Sequence, residues 1–261
     1  MRFRADRSRR RELPLPPLEY RQWVGPLDDE RYDNPNGSLV YPDFAPERYE
    51  SVFDFGCGCG RVARQLILQT PRPRRYVGID VHPQLIAWCQ ENLAPAVEGF
   101  EFHHHDVADK LVNAGEEKPK VRPFPVADQS VTLFESLSIF THIVESQLAF
   151  YLGEAARVLR EDGEMNASFL LFEKPDFPVL GARRNALYID ESYAPAAVYY
   201  DRGWLAQTLA DVGLAVTRVA QHPEVHGYQW RFVLAHVGAD TTGIELPRDE
   251  QERGTPRDFA T

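Results

Sequence analysis

From residue 51 onward, apolar and polar positions alternate in blocks. Val52-Phe53-Asp54-Phe55 is a short apolar run ended by glycines and predicts a buried strand, and Val62, Ala63, Leu66 and Ile67 follow at helical spacing. Tyr76-Val77-Gly78-Ile79-Asp80 predicts a second strand. Behind it Pro83 suits a first helical turn, with Leu85, Ile86, Cys89 and Leu93 on one face. A third strand starts at Phe100 and is expected to end near Asp106, and a fourth runs over residues 131–138. Leu148, Tyr151, Leu152, Ala155, Val158 and Leu159 form a helical stripe that Asp162-Gly163 should end. Residues 167–172 predict a fifth strand, and Trp204, Leu205, Leu209 and Val212 a last helix stopped by Gly213. Segments 214–220 and 228–236, joined at His222-Pro223, suit an antiparallel pair. Strands alternating with helices predict an α/β fold: a doubly wound sheet, mostly parallel, with a C-terminal antiparallel hairpin.

The flanks read differently. Residues 13–50 are rich in Pro, Asp and Asn, with Tyr20, Trp23 and Tyr32 among them, and predict short helical turns and loops packed on the body as a cap. Residues 173–200 read as irregular and aromatic, with Phe177, Tyr188, Tyr193, Tyr199 and Tyr200. They are the expected lid of a domain over residues 51–237, the aromatics either lining it or forming its own core. The chain carries a net charge of −10, yet residues 1–12 hold six arginines against Asp6 and Glu12. That arm and the apolar-poor tail, residues 238–261, are expected to be disordered. So acidic a body repels a phosphate backbone, which argues against a nucleic-acid substrate. No apolar run is long enough for a membrane span, no secretory signal is visible, and three cysteines make no disulfide framework, so a cytoplasmic location is expected.

Candidate chemistry concentrates at the end of the first strand. Gly56, Gly58 and Gly60 occupy alternate positions between that strand and a helix, where glycine lets the backbone turn sharply and approach a ligand closely. Asp54 precedes them and is placed to accept from an ammonium group; Asp80 ends the second strand, where an acid holds ribose hydroxyls. Asp106, at the third strand's end, is placed to accept from an adenine amino group. A dinucleotide site needs a glycine at position 61, but that residue is Arg61, so a nicotinamide- or flavin-dependent oxidoreductase is the disfavoured alternative.

The segment VFDFGCGCGR at residues 52–61 resembles motif I of the class I S-adenosylmethionine-dependent methyltransferases, in their bacterial small-molecule branch. FPVADQSVTLFESLSIFTHI at 124–143 resembles that family's fourth-strand segment, and EAARVLREDGE at 154–164 its helix and turn before strand five. The resemblance implies a Rossmann-like fold and S-adenosyl-L-methionine as cofactor. Asp54 and the three glycines would line its methionine part, Asp80 the ribose, Asp106 and Val107 the adenine, and Ser136 the methionine end. Thr132 stands where the family has Asp, and Glu135 is an acid inside an apolar strand, either at the cleft or internally satisfied.

Methyl transfer needs alignment and, for an alcohol acceptor, a base. His142, in the FTHI turn, is the candidate base or else packs at the helix start, where Thr141 reads as a cap. Arg21, with Tyr20, either reaches the cofactor carboxylate or packs on the surface. No metal site is expected: on a strand His103-His104-His105 cannot converge, and Cys57 and Cys59 lack a second pair. The sequence after strand four is Glu-Ser-Leu-Ser rather than the Asn/Asp-Pro-Pro-Tyr type that serves planar amino nitrogens. This favours an oxygen of a small molecule, such as a sugar derivative or natural-product intermediate. A catalytically inactive cofactor-binding regulatory or partner subunit is the nonenzymatic alternative. The oligomeric state is not encoded in any motif.

Overall fold

The computed structural model describes residues 13–177, 180–181, 183–190, 192–221, 229–238 and 244–247. The basic arm, the His222-Pro223 turn and most of the acidic tail lie outside these. The chain forms two compact units, one running to Val126 and including Ser130–Leu133, the other comprising Ala127–Gln129 and the chain from Phe134 on. The sequence suggests one domain over 51–237. The division falls inside a strand, which a hydrophobic pattern reads as any other buried strand.

In the first unit, residues 13–50 form the short helix α1 (Leu18–Arg21) and two 3₁₀ turns, Asp29–Tyr32 and Pro46–Tyr49, as their proline content requires. Strand β1 (Ser51–Phe55) leads through the glycines into α2 (Arg61–Leu68), which buries Val62, Ala63, Leu66 and Ile67. β2 (Arg75–Asp80) is followed by α3 (Pro83–Asn92), with Pro83 at its first position, and then by β3 (Phe100–His104). β1 pairs in parallel with β2, and β2 with β3. β4 (Val131–Ser136) lies on the other side of β1, so strand order reverses there. Thr132 anchors the first strand. Its buried hydroxyl accepts from the Ser51 N–H (2.8 Å) and bonds the carbonyls of Arg48 and Ser51 (2.8 and 2.9 Å), fastening the start of β1. Phe53, Phe55 and Phe124 form the aromatic centre, ring centroids 4.9 Å apart in each pair with Phe124.

In the second unit, α4 (Glu145–Val158) runs directly into β5 (Leu159–Phe172). This corrects the expected helix end. Leu159 keeps the helical spacing but already belongs to the strand, and Asp162-Gly163 lie inside it. Thr141 does not cap this helix either: Val144 holds that position, without a side-chain cap. Along one edge β5 pairs antiparallel with β9 (Trp230–His236) over Met165–Phe169, then parallel with β7 (Val198–Asp201) over Leu170–Phe172. β6 (Ala186–Tyr188) pairs antiparallel with β7, and β8 (Leu214–Gln221) with β9, giving the expected closing hairpin. Residues 173–200, expected to be irregular, therefore contribute two strands. Tyr200 is fully buried, its hydroxyl donating to the carbonyls of Phe140 and Ile143, so it belongs to the core. The Asp201 side chain caps α5 (Arg202–Asp211) by accepting from Trp204 N–H at 2.9 Å. The sheet is mostly parallel with an antiparallel strand pair at its end, a Rossmann-like arrangement.

Candidate active site

The turn after β1 is built by conformation. Gly56, Gly58 and Gly60 all have positive φ (88°, 53° and 78°), a region that side chains disfavour. Gly56 and Cys57 both donate to the carbonyl of Ile79 (2.8 and 3.0 Å), which ties the turn to the end of β2. Space restricts the turn as well. A Cβ on Gly60 would fall 2.4 Å from Leu93 Cδ1, and one on Gly58 would fall 2.6 Å from Val24 Cγ2. The N-terminal segment thus lies directly on the glycine turn.

Two carboxylates flank it. Asp80 Oδ2 accepts from Gly58 N–H (2.9 Å) and Oδ1 from His82 N–H (2.8 Å), so one acid fixes both the turn and the entry to α3. Burial pushes its carboxyl up, and the two N–H bonds pull it back. Asp54, 3% exposed, accepts from Tyr76 Oη at 2.7 Å. Burial raises its carboxyl to about 7, opposed by the Tyr76 bond and the Arg61 charge and reinforced by Asp80.

Asp106 follows β3 by two residues. Its Oδ1 lies 2.7 Å from Lys118 Nζ and 3.0 Å from Asn113 Nδ2, and these bonds hold its carboxyl down at about 2. Both main-chain groups of Val107 are bonded, its N–H to the His105 carbonyl and its carbonyl to Asn113 Nδ2. Arg21 is buried beneath the cap. Nε donates to Pro16 O, one Nη to Leu27 O and Asp29, and the guanidinium lies 5.0 Å from the Tyr32 ring centre. It is near enough to Cys59 to act on that thiol electrostatically. The first unit therefore gathers Asp54, the three glycines and Asp80 around one turn, with Arg21 bonded within the N-terminal segment, while Asp106 and Val107 sit in their own bonded loop.

Ser136 and His142 belong to the second unit. Ser136 is fully buried at the end of β4, and its Oγ has no hydrogen-bond partner among the described residues. His142 is exposed on the 3₁₀ turn Phe140–His142. Its Nδ1 lies 2.7 Å from Pro195 O, which requires a proton on Nδ1 and leaves Nε2 as the acceptor of the neutral ring. Glu135 is an internally satisfied acid: it accepts from Asn166 Nδ2 at 2.6 Å, and Asn166 Oδ1 accepts from Arg231 Nε at 2.6 Å.

The three histidines of the run have different surroundings. His103 faces Glu101, His104 meets the Val81 carbonyl, and His105 is buried edge-on to Phe55, its ring pushed down to about 4 chiefly by burial. Among the described residues, no three His, Cys, Asp or Glu are grouped to hold a metal. Cys57, Cys59 and Cys89 are free and buried, and burial pushes all three thiols up. No described helix is long and apolar enough to cross a membrane.

Sequence reasoning missed Tyr76, Gly78 and His82. His82 is buried against Trp23 (ring centroids 5.3 Å apart), with no hydrogen-bond partner for Nδ1 among the described residues. The available signal was a glycine inside a strand two positions after a tyrosine, which marks a close approach on one face.

Residues 52–163 match the methyltransferase domain family. Among solved structures, the pyocyanin biosynthetic protein PhzM is similar, with 18% identity and a TM-score of 0.50 over 75% of this chain and 53% of that one. A TehB-like S-adenosylmethionine-dependent methyltransferase from Corynebacterium glutamicum is 20% identical over 74% of this chain and 83% of its own, TM-score 0.47. A methyltransferase from Aquifex aeolicus is 19% identical over 72% and 83%, TM-score 0.45. The matched segment, somewhat under half of the chain, opens at the strand that carries the glycine turn and spans all three strand-end acids, so residues 52–163 are similar to a methyltransferase domain, consistent with the class I S-adenosylmethionine-dependent kind.

Proposed function

We propose that this enzyme transfers the methyl group of S-adenosylmethionine to an oxygen of a small molecule, such as a sugar derivative or natural-product intermediate. The observation that carries the reading is the pair of acids, buried Asp54 and half-buried Asp80, flanking a positive-φ glycine turn. The donor set suits the group. Each Asp80 oxygen already takes one backbone N–H, yet a carboxylate oxygen has a second lone pair, so both ribose hydroxyls have acceptors. Asp54 offers charge to the ammonium and Asp106 an acceptor to the adenine amino group, while Arg21, bonded within its own segment, would act on the carboxylate through its charge alone. Gly56, Gly58 and Gly60 admit the ligand's close approach, Val107 packs by the adenine, and Ser136, whose hydroxyl has no partner among the described residues, serves the methionine end.

When bound, the cofactor supplies an electrophilic methyl on a sulfonium, so the protein's own part is alignment, exclusion of water and removal of the acceptor proton. His142 is the proposed base: with Nδ1–H held by Pro195 O, the neutral ring offers Nε2 to a hydroxyl. The Glu-Ser-Leu-Ser sequence at the end of β4 and just beyond it supports an oxygen acceptor. The protein, incubated with methyl-labelled cofactor and a small-molecule extract, should move label into small molecules, detected by mass spectrometry. Cofactor that binds but never loses its label to any acceptor would instead identify a noncatalytic cofactor-binding subunit.

A further inference from the structure

Tyr76 and Gly78 are alternate residues of β2 and share a face. The Tyr76 ring has little freedom. It is fully buried, stacked on Phe100 at 4.9 Å and packed against Phe102 at 5.5 Å. Its hydroxyl is carried over Gly78, and only a missing side chain admits it there. A Cβ on Gly78 would lie 2.8 Å from Tyr76 Oη and 2.9 Å from Cys57 Sγ. Gly78 is also the residue in register with Asp54 on β1, so the hydroxyl that passes over it arrives at the Asp54 carboxylate, 2.7 Å from Oδ2.

We propose that Tyr76 is a positioning residue, admitted by Gly78, that favours the ionised form of Asp54 and holds it in one orientation so that its second oxygen receives the cofactor's ammonium. This rests on the reading of Asp54 as the ammonium-binding acid. The physical need is clear: a carboxylate this deeply buried takes up a proton unless something donates to it, and a protonated Asp54 has no charge to offer. The groups facing Asp54 are few. From β2 come Tyr76 and Asp80, from the start of α2 Arg61, from the turn Cys57, and from α3 Cys89. Burial keeps both thiols neutral, and Asp80 works against ionisation. Arg61 and Tyr76 favour it, and among the described residues Tyr76 is bonded to the carboxylate.

Tyr76→Phe keeps the stacked ring and deletes only the donor. A hydrogen bond to a charged group is worth about one to two pKa units, so the Asp54 carboxyl should titrate at least about one unit higher in the variant. Carbon-13 carboxyl NMR on the cofactor-free protein reads that directly. Calorimetric titration with S-adenosylhomocysteine reads the consequence. If only ionised Asp54 binds, moving its midpoint from about 7 to about 8 weakens binding about eightfold at about pH 6.5 and less than about twofold at about pH 8.5. Gly78→Ala, which displaces the same hydroxyl, should shift the pH profile the same way. An unmoved carboxyl midpoint, or an affinity loss equal at both pH values, overturns the proposal and leaves Tyr76 a core residue. Failure of the unaltered protein to bind S-adenosylhomocysteine at any pH overturns the functional reading on which it rests. Binding by that protein with an unaffected Tyr76→Phe overturns the positioning role alone.

Discussion

Replacing Asp54 with asparagine should stabilise the protein selectively at high pH. The Asp54 carboxyl rises from an ordinary 3.8 to about 7 in the fold, mainly through burial. A raised pKa means that the folded state holds its proton more tightly than the unfolded chain. The favourable contribution is therefore present at low pH and is lost as pH rises from about 4 to about 7, where the fold must carry a buried charge. Integrating between those two values, the wild type should lose roughly 2.5 kcal/mol from this one group between about pH 5 and pH 8. Asp54→Asn does not ionise, and its amide oxygen still accepts the Tyr76 hydroxyl, so it avoids that loss. Urea denaturation of both proteins at several pH values gives the difference in unfolding free energy. That difference should move in favour of the variant by roughly 2.5 kcal/mol across the window and level off above about pH 7. A difference that stays constant from pH 5 to 8 would refute the reasoning, since Asp54 would then be charged in both states. The same variant should bind cofactor poorly, an acid retained for function at a cost in stability.

Other substitutions probe the surroundings. Gly60→Ala should cost about 1–3 kcal/mol by denaturant unfolding, because φ is +78° and the new Cβ meets Leu93; a change under about 0.5 kcal/mol would contradict this. Thr132→Val removes the hydroxyl that fastens the start of β1 and should cost about 1–3 kcal/mol, with Ser51 N–H exchange accelerated in hydrogen-exchange measurements. His142→Ala should lower turnover about 10²–10⁴-fold with cofactor affinity unchanged, and turnover within about threefold of wild type would return His142 to a structural role.

How far the sequence reaches depends on the kind of contact. β1, its glycine turn, α2 and α3 were legible because each follows from a local period or a backbone requirement that only glycine or proline meets. The boundary between α4 and β5 was not. Leu159 satisfies the helical spacing although its backbone is extended, and Gly163, which reads as a stop, lies within the strand. Residues 173–200 looked irregular because β6 and β7 are three and four residues long, too short to show alternation. In the site, the glycines and the strand-end acids could be picked out by position, but their partners could not. Asp106 is held by Lys118 and Asn113 across a loop with no period, and Asp54 by a tyrosine that the pattern counts simply as core. Arg21 shows the same limit. Its guanidinium is committed to carbonyls and Asp29 within its own segment, contacts set by the fold of a proline-rich loop.

The central claim is that the turn after β1, with Asp54 and Asp80, holds S-adenosylmethionine. Calorimetric titration of the unaltered protein and of Asp80→Ala with S-adenosylhomocysteine and with NAD tests it most directly. The account predicts binding of S-adenosylhomocysteine near micromolar affinity, about −8 kcal/mol, with no heat from NAD. Asp80→Ala should weaken that binding by about tenfold or more through lost ribose hydrogen bonds. Binding of NAD alone, or an Asp80→Ala titration that superimposes on the wild type, would contradict it.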